Sequence, residues 1–209
     1  MTRVGLRAEP GPGMGGIRGG RILLALGFAG AGTAIAAGGC SGGRGDSVGS
    51  EARGDTAAPI CPPPGPFGTE VGDQAEDVVV TDCIGTTASL HGLCGRPALV
   101  INWYGWCPSC EDNAELGRAL ADEHADLAVA VVLDEDPLSA PADAALCAQY
   151  VSTYPSAAQV WLDPDGELEI YGETDLVLVL DPSGVITFAR QTATQDAIVA
   201  AVEAVLGVR

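Results

Sequence analysis

The chain has 209 residues, with no lysine, ten arginines and 28 acidic residues, for a formal net charge of −18. That balance excludes an electrostatic grip on nucleic acid or anionic lipid, and the length allows one medium domain with a leader and a linker but no second full domain. Seven cysteines in so short a chain exceed what a reducing cytosol ordinarily tolerates, so they point to an oxidising compartment.

At the N-terminus, Arg18 and Arg21 precede an uncharged run from Ile22 to Ala37 that is rich in Leu and Ala. The run is too short to cross about 30 Å of hydrocarbon, and its pattern is that of a secretory signal, so residues 1–39 are expected to be a signal peptide. It ends in Ala37-Gly38-Gly39-Cys40, which resembles the lipobox of bacterial lipoproteins and implies Cys40 as the lipid-bearing first residue of an exported, membrane-anchored protein. A plain cleaved signal with Cys40 incidental is the alternative. Residues 40–66 turn to Gly, Ser, Ala, Pro and charge, which bury too little apolar surface to order, and read as a flexible tether. Arg44-Gly45-Asp46 and Arg53-Gly54-Asp55 lie in it and read as linker. Beyond residue 39 there remain six arginines and 27 acidic residues, a charge that keeps the exported part soluble.

Residues 67–209 alternate strand and helix patterns. Val78 to Thr81 and Thr86 to Leu90 suggest a hairpin. Ala98 to Trp103 is a strand of the kind buried on both faces, and Glu111 to Glu123 carries Leu116, Leu120 and Ala121 at helical spacing. Leu127 to Leu133 is a second buried strand. Pro141 to Tyr154 reads as a helix with its proline in the first turn, and Gln159 to Leu162 as a short strand. Leu176 to Leu180 and Val185 to Ala189 flank Asp181-Pro182-Ser183-Gly184, a tight-turn sequence. A last helix spans Thr194 to Leu206.

Chemistry concentrates in Trp103-Tyr104-Gly105-Trp106-Cys107-Pro108-Ser109-Cys110. Two sulfurs separated by two residues can close a small ring, and a helix beginning there puts unpaired N–H groups and partial positive charge beside Cys107, favouring its thiolate. Pro108 suits the first turn, where no N–H is needed. Cys110, one turn deeper, is the natural resolving thiol. With Thr81-Asp82, Gly85, Ser89-Leu90, Gly95-Arg96-Pro97 and the strand Leu99 to Trp103, this motif resembles the thioredoxin-like superfamily, in particular its membrane-anchored TlpA-like and redoxin branch. The resemblance covers about two thirds of the chain. It implies an α/β thioredoxin fold, a central mixed sheet flanked by helices, here with an N-terminal β-hairpin extension. It also implies Cys107 as nucleophile and Cys110 as resolver, with Trp106 and Pro108 in support.

Two positions depart from that family. Its dithiol usually faces a cis-proline, which here is replaced by Thr174-Asp175, and an acid at that place would work against a thiolate on Cys107. Its buried proton-relay acid would fall near Ile101, which cannot titrate. Cys61, Cys83, Cys94 and Cys147 allow three pairings; Cys83 with Cys94, nearest in sequence, is the expected structural disulfide, although a short strand carries the chain away between them. No cofactor or metal is expected, because the ligands available to add to the dithiol are His91, read as a cap or surface residue, and His124, read as a helix-end residue. Asp163-Pro164-Asp165-Gly166-Glu167 lacks the other ligands of a calcium loop and reads as a turn.

The function expected is a cell-envelope thiol–disulfide oxidoreductase acting on thiols or disulfides of exported proteins, with a separate redox partner. A catalytically silent lipoprotein that uses the fold to bind a partner is the rival from another class, supported by Thr174-Asp175. A peroxiredoxin-type peroxidase fits less well, since such enzymes carry threonine where this chain has Tyr104.

Overall fold

Leu- and Val-rich segments set the centre of the molecule. The computed structural model describes residues 61 and 64–208; the expected signal peptide, Cys40, both Arg-Gly-Asp tripeptides and most of the expected tether lie outside them. Among the described residues no helix is long and apolar enough to cross a membrane.

The elements run β1 (Phe67–Gly68), β2 (Gln74–Ala75), β3 (Val79–Asp82), β4 (Thr87–Ser89), β5 (Ala98–Tyr104), α1 (Pro108–Glu123), β6 (Ala128–Glu135), α2 (Ala144–Thr153), β7 (Gln159–Leu162), β8 (Leu176–Leu180), β9 (Ile186–Gln191) and α3 (Gln195–Leu206). Short 3-10 turns cover His91–Leu93 and Glu167–Tyr171. One seven-stranded sheet holds the order β4-β3-β7-β6-β5-β8-β9. Its centre is parallel, β5 to β6 and β6 to β7, while β3 and β8 join it antiparallel. The expected N-terminal hairpin is present as β3 and β4, with Val80 opposite Ala88.

All seven residues of β5 are buried, because both faces of the sheet are covered. Leu99, Ile101 and Trp103 pack with Ala114 and Leu120 of α1, Cys147 and Tyr150 of α2, and Ile198 and Val202 of α3. The alternate residues Ala98 and Val100 face the other way, toward Val80, Leu90, Leu93 and Leu168. Period-2 alternation thus sends one apolar strand into two cores, which is why its sequence shows no polar face. Gly117 lets α1 sit close on this strand: a Cβ there would come within 2.4 Å of Ile101 Cδ1.

Caps decide the helix boundaries. Thr194 Oγ1 accepts from Ala197 N–H and starts α3 where expected. The second helix begins later than the proline rule predicts. Asp143 accepts from Leu146 N–H at 2.8 Å and is the N-cap, while Pro141 pairs in a bridge with Glu135. A carboxylate that satisfies an open N–H outranks a proline that merely tolerates the first turn.

The expected Cys83–Cys94 disulfide is not formed. Cys83 is bonded to Cys147, with Cα atoms 5.3 Å apart, and Cys94 to Cys61, at 5.7 Å. Cys83 sits at the turn between β3 and β4, and β4 then carries the chain back to the opposite end of that hairpin before Cys94. Pairing of β3 with β7 instead brings Cys83 to α2, which packs on β7. Cys94 meets the segment at Cys61 that precedes β1. The Cys83–Cys147 bond spans 64 residues, so the double variant Cys83→Ala/Cys147→Ala is expected to lose roughly 2–4 kcal/mol of stability; chemical denaturation under oxidising conditions measures it, and an unchanged midpoint refutes the pairing.

Candidate functional site

The buried strand β5 delivers the chain to the C-terminal end of the sheet's central strands, where Gly105 makes the turn. A Cβ on Gly105 would lie 2.5 Å from Pro137 N and 2.7 Å from Asp136 C, so glycine is required for the β5 end to pass the loop after β6. Cys107 follows as the N-cap of α1, in extended conformation, with Pro108 at the first helical position. The Cys110 N–H donates to Cys107 Sγ at 3.2 Å, so the outer sulfur takes the role that a Ser or Asp oxygen fills at other helix starts. The two sulfurs form a disulfide. Cys107 is 9% exposed and lines the cleft over the site, whereas Cys110 is 0% exposed and does not: the first cysteine borders solvent and the second is closed off.

Trp106, 44% exposed, lies beside the outer sulfur. Its Nε1 donates to Glu135, and its ring lies 5.4 Å from that of Tyr104. Beneath it, Tyr104 Oη donates to Asp134 Oδ2 at 2.9 Å, and Asn102 Nδ2 donates to Tyr104 Oη at 3.2 Å. Burial pushes the Asp134 carboxyl up to about 6, and burial followed by the Asp134 hydrogen bond pushes the Tyr104 phenol up. Ile101 is apolar and buried as expected, so the titratable acid this sheet does bury sits one strand over, at Asp134.

The place expected to depart from the family pattern lies directly against the dithiol. Asp175 is 4% exposed, and a carboxylate oxygen of it lies within 4.8 Å of both Cys107 Sγ and Cys110 Sγ. Its backbone is left-handed, φ 61°, a conformation Asp tolerates better than most residues. Thr192 N–H donates to its carbonyl at 3.2 Å, and Asn113 Nδ2 of α1 donates to its Oδ1 at 2.8 Å. Sequence reading passed over Asn113, although its place three residues after Cys110 puts it on the same helix face. A cleft of about 280 Å³ opens over the site, lined by Trp106, Cys107, Ser109, Glu173, Asp175 and Gln191 among others.

A second network anchors α1. Trp103 Nε1 donates to Glu111 Oε2 at 2.8 Å, and Arg118 donates to Glu111 Oε1 at 3.0 Å and to Tyr150 Oη. The Arg118 guanidinium also stacks 4.2 Å from the Tyr154 ring centroid. Glu111 and Arg118 are seven residues apart, two helical turns, which is the signal that could have marked the pair. The remaining candidates fall elsewhere. His91 Nε2 contacts Ala75 O at 2.9 Å, His124 is the C-cap residue of α1, and Asp163 accepts from the N–H groups of Glu167 and Leu168, as a turn residue does.

No protein-family model matches the sequence, and no curated protein matches it. Solved structures do. The exposed lipoprotein thioredoxin of Streptococcus pneumoniae is 20% identical, with a TM-score of 0.51 over 62% of this chain and 99% of that one. A Chlorobium tepidum protein assigned as thiol:disulfide interchange protein DsbE is 18% identical, with a TM-score of 0.52 over 65% and 99%. A protein disulfide isomerase assigned in Bacteroides thetaiotaomicron is 16% identical, with a TM-score of 0.54 over 66% and 89%. The chain has the thioredoxin fold, as the resemblance of its motif implied.

Asp175 sets up a measurable conflict. The helix start favours a thiolate on Cys107, whereas an ionised carboxylate within 4.8 Å opposes it by on the order of 1 kcal/mol in water and several in a less polar setting. About half of that is recovered as rate, because a less basic thiolate is a weaker nucleophile. Asp175→Asn is therefore expected to speed the reaction of reduced protein with a small aromatic disulfide at neutral pH by roughly 3- to 10-fold; stopped-flow absorbance decides, and an unchanged rate means the carboxylate has no electrical hold on Cys107.

Proposed function

We propose that this protein is an exported thiol–disulfide oxidoreductase that exchanges disulfides with cysteines of other exported proteins through Cys107 and Cys110. One observation carries the reading: an approachable sulfur capping a helix is bonded to a sulfur with no exposure at all. That asymmetry assigns the roles. In the reduced protein the Cys107 thiolate attacks one sulfur of a substrate disulfide, forming a mixed disulfide and releasing the other substrate sulfur, which takes up a proton. Cys110 then gives up its proton and attacks Cys107 Sγ, the mixed bond breaks, and the second substrate thiol leaves. Two electrons pass to the substrate and the Cys107–Cys110 bond is restored; the same steps in reverse oxidise a substrate dithiol. The Cys110 N–H, aimed at Cys107 Sγ, supports charge on that sulfur whenever it leaves or attacks as thiolate. Pro108 keeps the first turn free of an unneeded donor, and the exposed Trp106 offers an apolar contact to an incoming chain. A separate redox partner must return the dithiol to its starting state.

The silent partner-binding reading draws on the same site, since Asp175 occupies the edge on which a substrate chain would lie. Trapping separates the two. Cys110→Ser is expected to accumulate mixed disulfides between Cys107 and envelope proteins, because nothing remains to resolve them, while Cys107→Ser accumulates few. Non-reducing electrophoresis reads the adducts, and absence of adducts in both variants together with no insulin reduction by the wild type establishes the silent binder.

Tethering to the envelope membrane rests on Ala37-Gly38-Gly39-Cys40 and on residues 40–66 as a flexible spacer. Cys40→Ser is expected to release the protein from the membrane fraction or to leave its precursor uncleaved; unaltered processing and attachment in fractionated cells rule the lipid anchor out.

A further inference from the structure

We propose that the reduced site binds one zinc-class divalent cation through Cys107 Sγ, Cys110 Sγ and a carboxylate oxygen of Asp175. All three residues are buried, and their ligand atoms lie within 4.8 Å of one another. In a tetrahedral zinc site, with Zn–S near 2.3 Å and Zn–O near 2.1 Å, neighbouring ligand atoms stand about 3.5–3.8 Å apart. Opening the disulfide lets the sulfurs spread to that separation, and the carboxylate need move by only about 1 Å to meet them.

A second observation points to a cation. Asp175 Oδ1 is held by Asn113, but Oδ2 is buried with no hydrogen-bond partner among the described residues. A buried carboxylate oxygen left without a donor is costly, and among the described residues no side-chain cation lines this cleft to serve it. Reduction makes the imbalance worse, because it adds up to two thiolates beside the same buried carboxylate, in a cleft that Glu173 also lines. A divalent ion bound by all three groups offsets two of their three negative charges at once. Asn113 meanwhile orients the carboxylate, as the outer hydrogen bonds of metal ligands do.

The donor set selects the class of ion. Two thiolates and a carboxylate suit Zn²⁺, whereas a softer ion such as Cu(I) has little use for the oxygen. Three protein ligands leave the fourth position facing the cleft, open to water or an incoming group. Binding displaces the two thiol protons to solvent and leaves the sulfurs in the oxidation state of the dithiol. The disulfide form holds no free sulfur pair and must first accept two electrons from a thiol or phosphine reductant, with two protons that come from the thiols or, for a phosphine, from the water that also supplies the oxygen of its oxide, so the site exists only in reduced protein and the bound ion withholds Cys107 from attack. The inference needs the disulfide to be openable by a small reductant and does not require that it exchange with proteins. Sequence reading sought additional ligands in histidine and passed over this carboxylate.

The test uses the full chain reduced with a phosphine and freed of it, titrated with Zn²⁺ against a chromophoric chelator. Cys107→Ser serves as the measure of binding at the other cysteines. Wild type is expected to bind one more Zn²⁺ than Cys107→Ser, oxidised protein is expected to lack that site, and Asp175→Asn is expected to bind at least about tenfold more weakly. Co²⁺ in place of Zn²⁺ gives a second readout, sulfur-to-metal charge-transfer absorbance that appears with wild type and falls in Cys107→Ser. Equal affinity in wild type and Asp175→Asn, or a stoichiometry that Cys107→Ser leaves unchanged, overturns the proposal.

Discussion

The N–H of Cys110 pointing at the sulfur of Cys107 is the contact on which the site depends. Every α-helix begins with N–H groups that lack partners, and α1 begins immediately after a strand that is buried along its whole length. A sulfur at the cap position meets one of those donors, fixes the extended backbone of Cys107, and so holds the second cysteine one turn in, where the core closes over it. The approachable and unapproachable sulfurs are therefore consequences of a helix start, set by the same geometry that ends the strand.

That start is held from several sides. Gly105 admits the neighbouring loop so closely that no side chain fits. Glu111, in the first turn of α1, ties the helix to Trp103 on β5 and, through Arg118, to Tyr150 on α2. Trp106 is braced by Glu135 and Tyr104. Rigidity of this kind matters to a dithiol, because ring closure is favourable only while the two sulfurs are kept within bonding reach.

Much of this was legible in the chain. A strand buried on both faces announces itself as a largely apolar run, and β5 and β6 lay where such runs stood, while β8 lay where a hairpin arm was read; Pro108 and the two-residue spacing marked the dithiol's helix. What depended on topology was hidden. Cys83 meets Cys147 because β3 docks on β7, a pairing between segments some 80 residues apart that leaves no local trace, and nearness in sequence favoured Cys94 instead. The start of α2 was misplaced because proline is a conspicuous residue and an Asp two positions later is not, although the Asp does the capping. Position 175 was recognised as unusual from resemblance alone. That its carboxylate is buried against both sulfurs, with one oxygen held by Asn113, follows from a left-handed turn between Thr174 and Leu176 that residue order does not declare.

Asp175 also changes how the site balances its charge. A proline in that position would be electrically neutral, and a helix start alone would then favour thiolate. Here the favourable field of α1 and the unfavourable field of a carboxylate act on the same sulfur, and burial of Cys107 and Asp175 limits screening by solvent. Two arrangements relieve the conflict. In one, the sulfurs bond to each other and carry no charge, which is the oxidised form; in the other, the charges remain and a cation is drawn between them. The two exclude each other, since a sulfur committed to a disulfide has no thiolate to offer. The carboxylate therefore couples the redox state of the dithiol to occupation by metal, and it does so from one of the two places where this chain departs from the family its motif resembles.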